Sequence, residues 1–163
     1  MGGSTLGKYS LFIAIIFWGI IMGGITYAHV VYFPPYLANL PDSAVIVTGK
    51  HALNEGRFWM MIHPVLILSL ITALVLNWRA KPRRSLILMT MGIYFVVLVC
   101  TQLYFLPELG AFRESASSNV TPAEWLVRGN RWQYLSWIRG AFMFLGILPL
   151  LSALTKVGDT PKN

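Results

Sequence analysis

The stretch FWMMIHPVLILSLITALVLNW, from Phe58 to Trp78, runs directly into RAKPRR at Arg79–Arg84, and a second apolar run, SLILMTMGIYFVVLVCTQLYF, follows from Ser85 to Phe105. A helix needs about 20 predominantly apolar residues to cross ~30 Å of hydrocarbon. Both runs meet that length, and the six residues between them allow only a short basic loop. The reading is a transmembrane helical hairpin. Two more runs of the same kind flank it, at about 9–33 and 136–155, so the chain is expected to be all-α, an integral membrane four-helix bundle forming a single domain over 1–163. Composition agrees: of 163 residues 56% are hydrophobic and 12% charged, against roughly 45–50% and 25% in soluble domains.

Orientation follows from the cations. Arg79, Lys81, Arg83 and Arg84 lie in the short loop without an acid, and the positive-inside rule puts that loop in the cytoplasm. Lys8, Lys156 and Lys162 then fall on the same side, which makes both termini cytoplasmic and the protein a multi-pass component of the inner (cytoplasmic) membrane. The net charge of +7 is topological, not a nucleic-acid footprint, and the basic loop reads as a contact to anionic lipid heads. Lys8 ahead of an apolar run resembles a secretory signal. The run is too long for one and lacks a small-x-small cleavage site, so it reads as a span.

Cys100 stands alone inside the third span and forms no internal disulfide. The Gly19-x-x-x-Gly23 spacing suggests close approach of another helix or of a flat cofactor, and glycine-lined faces fit a homo-oligomer.

Polar residues inside the spans carry the functional reading. Counting ~1.5 Å per residue from the charged ends brings His29, His63, Arg139 and the set Thr101, Gln102 and Tyr104 to similar depth in the outer leaflet. An arginine at that depth costs about 2.5–3.5 kcal/mol on insertion scales, so Arg139 needs a partner, Glu55 being the nearest acid. If a helix starts near Thr48, then His51, Glu55, Trp59 and His63 form one stripe. His51 and His63 would lie ~18 Å apart along it, too far to share a metal.

His29 and His63 on facing helices could supply the axial ligands of a haem b iron, since imidazole suits iron and bundle cores hold cofactors in this way. Arg139, Arg131 and Arg128 would pair with the propionates, and Trp132, Trp137, Trp59 and Phe58 would flank the ring. A cofactor-free cavity and purely structural polar contacts also stay open.

The order of features resembles the anthrone oxygenase-like family of small four-span membrane proteins. The segments that carry the resemblance are Gly23-Gly24, HVVYFPPYL at 29–37, Leu40-Pro41-Asp42, YFLPEL at 104–109 and RWQYLSWIR at 131–139. The resemblance covers most of the chain and implies a four-helix membrane architecture with its working end at the outer cluster that includes Trp132 and Arg139. From the residues and the resemblance together three functions stay open, of which the first is the expectation and the other two are alternatives. The first is a haem b protein with a redox, gas-binding or oxygenase-type (oxidoreductase) role. The second is a cofactor-free oxygenase acting on a flat aromatic substrate, and the third an accessory subunit of a larger membrane complex.

Overall fold

The computed structural model describes residues 2–156, of which the great majority are helical and none lies in a strand. Helix α1 (Gly2–Tyr27) passes through a π turn (Ala28–Tyr32) into α2 (Phe33–Ala38), and a short α3 (Val45–Thr48) leads to α4 (Gly56–Leu76). After the basic loop, α5 (Lys81–Cys100) passes through a second π turn (Thr101–Phe105) into α6 (Leu106–Arg113), and α7 (Pro122–Thr155) completes the chain. The four columns Thr5–Ala38, Gly56–Leu76, Lys81–Arg113 and Pro122–Thr155 are each long and apolar enough to cross a membrane. Lys162, counted above among the cytoplasmic charges, lies outside the described residues.

Three columns are longer than their apolar runs. Pro34, Pro107 and Pro122, all outside the expected spans, start helical segments instead. Pro34 and Pro107 occupy the first turns of α2 and α6, each directly after a π turn. Within those turns Phe33 N–H reaches Ala28 O, and Leu106 N–H reaches Thr101 O, one residue further back than in an α-helix. The extra residue relieves the clash of a proline ring with the preceding turn. Pro122 is N1 of α7, behind a capping box in which Thr121 Oγ1 accepts from Glu124 N–H while the Glu124 carboxylate accepts from Thr121 N–H. The second column is shorter than the stripe required. Gly49 turns to an extended conformation after Thr48, the helix restarts at Gly56, and His51 is exposed in the intervening turn. Only Glu55, Trp59 and His63 keep the shared face.

α1 packs along α4, α5 packs along α7, and α1 also meets α7. Leu11, Trp18, Leu66, Ile87, Met143 and Leu150 fill the axis. Trp18 Nε1 donates to Met143 O at 2.9 Å, which requires Gly146: a Cβ there would lie 2.5 Å from the indole. Phe12, Ile16, Leu68, Phe95 and Phe142 point outward, exposed, as lipid-facing positions do. A second core beyond the π turns joins Tyr36, Leu37, Phe112, Trp125 and Trp132.

A polar lock ties the basic end. Asn77 Nδ2 donates to Gly7 O at 3.0 Å and to Ala73 O at 2.8 Å. Arg83, only 2% exposed, donates to Asn77 Oδ1 at 3.1 Å and twice to Lys156 O at 3.0 and 2.8 Å. Its charge therefore sits at the C-terminus of α7, where the helix dipole favours a cation. Arg83 is thus an internal tie between columns, not one more lipid contact of the basic loop.

Candidate functional site

At the opposite end, where α4 and α5 touch only sparingly, a cavity of about 550 Å³ opens among all four columns. It falls within the ~300–1,000 Å³ usual for small-molecule sites. At ~1.5 Å per residue, His63 and Tyr94 stand about 20 Å along their helices from the basic end, and Thr101 about 30 Å. The cavity therefore spans the half of the bundle remote from the basic loop.

His63 and Tyr94 form the floor. His63 Nδ1 and Tyr94 Oη are 2.5 Å apart, and the other ring nitrogen of His63 bonds nothing among the described residues. Trp59 lies against the imidazole, ring centroids 5.6 Å apart at 27°. One turn earlier Glu55 accepts from Trp59 Nε1 at 3.3 Å. Burial holds the Glu55 carboxyl above the ordinary carboxylate range, opposed by the Trp59 hydrogen bond and by the positive field of Arg139.

The far wall is a directed chain of hydrogen bonds. His29 Nδ1 lies 2.8 Å from Ile25 O; a carbonyl only accepts, so Nδ1 carries the proton. In the neutral ring Nε2 is then the acceptor for the Ser136 hydroxyl, 2.8 Å away. That leaves the Ser136 oxygen to accept from Arg139 at 2.8 Å. Thr101 repeats the arrangement, giving its proton to Val97 O at 2.7 Å and accepting from Arg139 at 3.0 Å. The guanidinium also sits 4.0 Å above the Phe105 ring. The two π turns supply the flanking parts of this wall, His29 from the first and Thr101 from the second. Trp132, fully buried, packs against both: its ring stacks 6.3 Å from that of His29, and its Nε1 donates to Phe105 O at 3.1 Å.

Of the residues proposed from sequence, His29, His63, Arg139, Glu55, Trp59 and Trp132 all line this cavity. Arg128 and Arg131 do not. Arg128 forms an ion pair with Glu108 at 3.0 Å and lies 4.5 Å over the Trp125 ring, and Arg131 is exposed. Arg139 and Glu55 line the same space without an ion pair; the one salt bridge among the described residues is Arg128–Glu108. Phe58 packs edge-on against Trp59, and Trp137 lies 4.7 Å from the His29 ring. Neither lines this cavity. Two residues that sequence reasoning did not single out are central. Tyr94 is thirteen residues after Lys81, and His63 thirteen before Leu76, so equal depth in the hairpin was the available signal. Ser136 stands one helical turn before Arg139, but nothing in its own identity marks it.

Two-histidine ligation of a haem does not fit these side chains. Both ring nitrogens of His29 are committed to Ile25 and Ser136, and two of the three arginines meant for the propionates are elsewhere. Among the described residues no three His, Cys, Asp or Glu side chains gather as around a metal ion. Comparison with protein-family models, with curated proteins and with solved structures finds no match for this chain.

The cavity offers apolar aromatic walls and, among the described residues, an imidazole with one free nitrogen and a guanidinium without a carboxylate partner. Such a set can bind a flat apolar molecule, accept a proton from it and stabilise the resulting anion.

Proposed function

We propose that the protein binds a flat aromatic molecule in the outer leaflet of the cytoplasmic membrane and oxygenates it without a cofactor; the resemblance to the anthrone oxygenase-like family supports the four-span architecture and the outer-side cluster, and the side chains of the cavity support the reaction. The observation that carries this reading is the His63–Tyr94 pair in one cavity with Arg139. When His63 donates Nδ1–H to Tyr94 Oη, its Nε2 lone pair is free to act as a general base. A CH2 group between two aromatic rings loses a proton to Nε2, and the negative charge moves to the ring-ketone oxygen, where Arg139 stabilises it. The carbanion then reacts with O2. One oxygen atom becomes the new ketone, and the other leaves as water with the two hydrogens of the CH2 group. Lys8, Arg79, Lys81, Arg84 and Lys156 cluster at the basic end, which supports cytoplasmic termini and a cavity on the outer side.

The test is oxygen uptake by the purified protein with anthrone, with the ketone product followed by absorption. His63→Ala should lower turnover by about 10²–10⁴-fold, the usual contribution of a general base. Turnover unchanged in that variant would refute the assignment. A second reading, haem b held by His63 alone, is favoured by one observation: ligating histidines commonly have their other ring nitrogen held by a hydrogen bond, as Tyr94 holds Nδ1. The absorption spectrum of the same preparation separates the two readings, since only a haem protein has a Soret band that His63→Ala removes.

A further inference from the structure

A second cavity, also about 550 Å³, adjoins the first and shares Ala28, Glu55 and Trp59 with it. It lies between α1 and the segment leading into α4, and its lining is graded. Tyr32, Asn54 and Glu55 stand at the end remote from the basic loop, while Ile20 and Gly23 lie two to three turns nearer the middle of the bundle. Ile20 is 40% and Tyr27 64% exposed, so the space opens sideways, where acyl chains surround a transmembrane helix.

The two glycines in this wall have different causes. A Cβ on Gly24 would come 2.6 Å from Phe58, so packing within the chain explains that glycine. A Cβ on Gly23 would meet nothing within 4 Å; no contact among the described residues requires a glycine there, and its effect is to widen the groove.

We infer that this second cavity holds the hydrocarbon chain of the ligand whose aromatic head occupies the first, so that the ligand is a membrane-resident amphiphile, a flat hydroxylated or keto-aromatic head carrying an isoprenoid or alkyl tail. This rests on the proposed function and specifies its substrate class. Ala28, Glu55 and Trp59 line both spaces, so the tail site lies directly beside the head site. The gradient from Glu55 and Asn54 down to Ile20 matches a molecule anchored by its polar end near the interface, with its chain directed toward the bilayer midplane. Lateral opening lets such a molecule enter from the lipid without crossing water. A second copy of the chain packing on Gly19 and Gly23 would cover the groove but would leave its polar end unmatched.

The experiment uses the full chain in phosphatidylcholine nanodiscs, with tryptophan quenching as readout. The probes are a hydroxynaphthoquinone and the same head bearing a farnesyl chain. Wild type should bind the chained compound more tightly after correction for its partition into lipid. Gly23→Phe fills the groove from a position with free space and should weaken the chained compound at least tenfold while leaving the bare head unchanged. Ile20→Trp, reaching the same groove from its lipid side, should act alike. Equal affinities of the two probes for wild type, or equal loss of both in the variants, would overturn the inference and leave the proposed function standing. Conversion of an oligomer to a monomer by Gly23→Phe, with both affinities intact, would assign the groove to a second copy. Failure of both probes to bind wild type would overturn the proposed function and this inference together.

Discussion

Replacing Arg139 with leucine should separate a functional arginine from a structural one. The guanidinium donates to Thr101 and Ser136 and rests on Phe105. Both hydroxyls spend their own protons elsewhere, on Val97 O and His29 Nε2, so the substitution orphans no donor and leaves only two hydroxyl oxygens short of one incoming bond. That loss, about 1 kcal/mol for each acceptor plus up to about 2 for the cation–π contact, is offset by relief of the roughly 2.5–3.5 kcal/mol that an arginine costs at membrane depth. Stability should therefore stay within about 1–2 kcal/mol of wild type. An anionic ligand loses a charge-assisted hydrogen bond of about 1.5–3 kcal/mol, so its dissociation constant should rise roughly 10–150-fold. Thermal unfolding in one detergent and quench titration with the ionised hydroxynaphthoquinone measure the two quantities. Marked destabilisation with unchanged affinity would refute the argument and make Arg139 a structural tie.

Arg83→Leu should behave in the opposite way: its acceptors, Lys156 O and Asn77 Oδ1, receive no other side-chain donor among the described residues, so stability should fall by about 2–4 kcal/mol. Arg84→Leu, at a half-buried residue whose guanidinium meets Trp78 of its own loop, should cost about 1 kcal/mol or less, and equal melting of the two variants would contradict the lock. For Glu55, a folded-state pKa above the ordinary carboxylate range means that the folded protein binds this proton more tightly than the unfolded chain. Its contribution is full below the ordinary range and is lost as pH rises through the folded value. Melting temperature should fall over that interval, and Glu55→Gln should flatten the profile; an unchanged slope would show that the carboxyl does not titrate in this way. On a Cys100→Ser background, Ser117→Cys should react with an impermeant maleimide added outside intact cells and Lys81→Cys should not. The reverse pattern would invert the topology.

The four columns were legible because hydrophobic length is a property of the local sequence, and the basic loop at Arg79–Arg84 fixes the hairpin. Their full extent was not. Pro34, Pro107 and Pro122 all lie outside the apolar runs, yet each begins a helical segment: Pro122 at N1, where the N–H has no partner in any case, and Pro34 and Pro107 after π turns whose extra residue makes room for the ring. The Tyr-Phe pairs at 32–33 and 104–105, both close before a proline, were the visible trace of two equivalent π turns. Depth counting grouped His29, His63, Thr101 and Arg139, which line one cavity, because rise per residue is nearly constant. Direction around the helix axis is less forgiving. One extra residue in a π turn rotates every later residue of the column by roughly 100°, and the irregular segment from Gly49 to Glu55 removed His51 from the stripe altogether.

The separation of Arg139 from Glu55 has a consequence for chemistry. Had they formed the ion pair expected from the sequence, each charge would have been neutralised and the space between them closed. Arg139 instead donates to neutral hydroxyls whose protons point away, and Glu55 accepts from Trp59 on the opposite wall. Neutral acceptors orient a guanidinium without cancelling its charge, so its field remains directed into a cavity with mostly apolar walls, where screening is weak and an oxyanion gains most. Glu55, favoured by burial in its protonated form, opposes that field least when the surroundings are driest. Binding an apolar ligand expels water, and this raises both effects together. The cavity is therefore most electropositive when it is occupied by the kind of molecule whose ionisation it would have to stabilise.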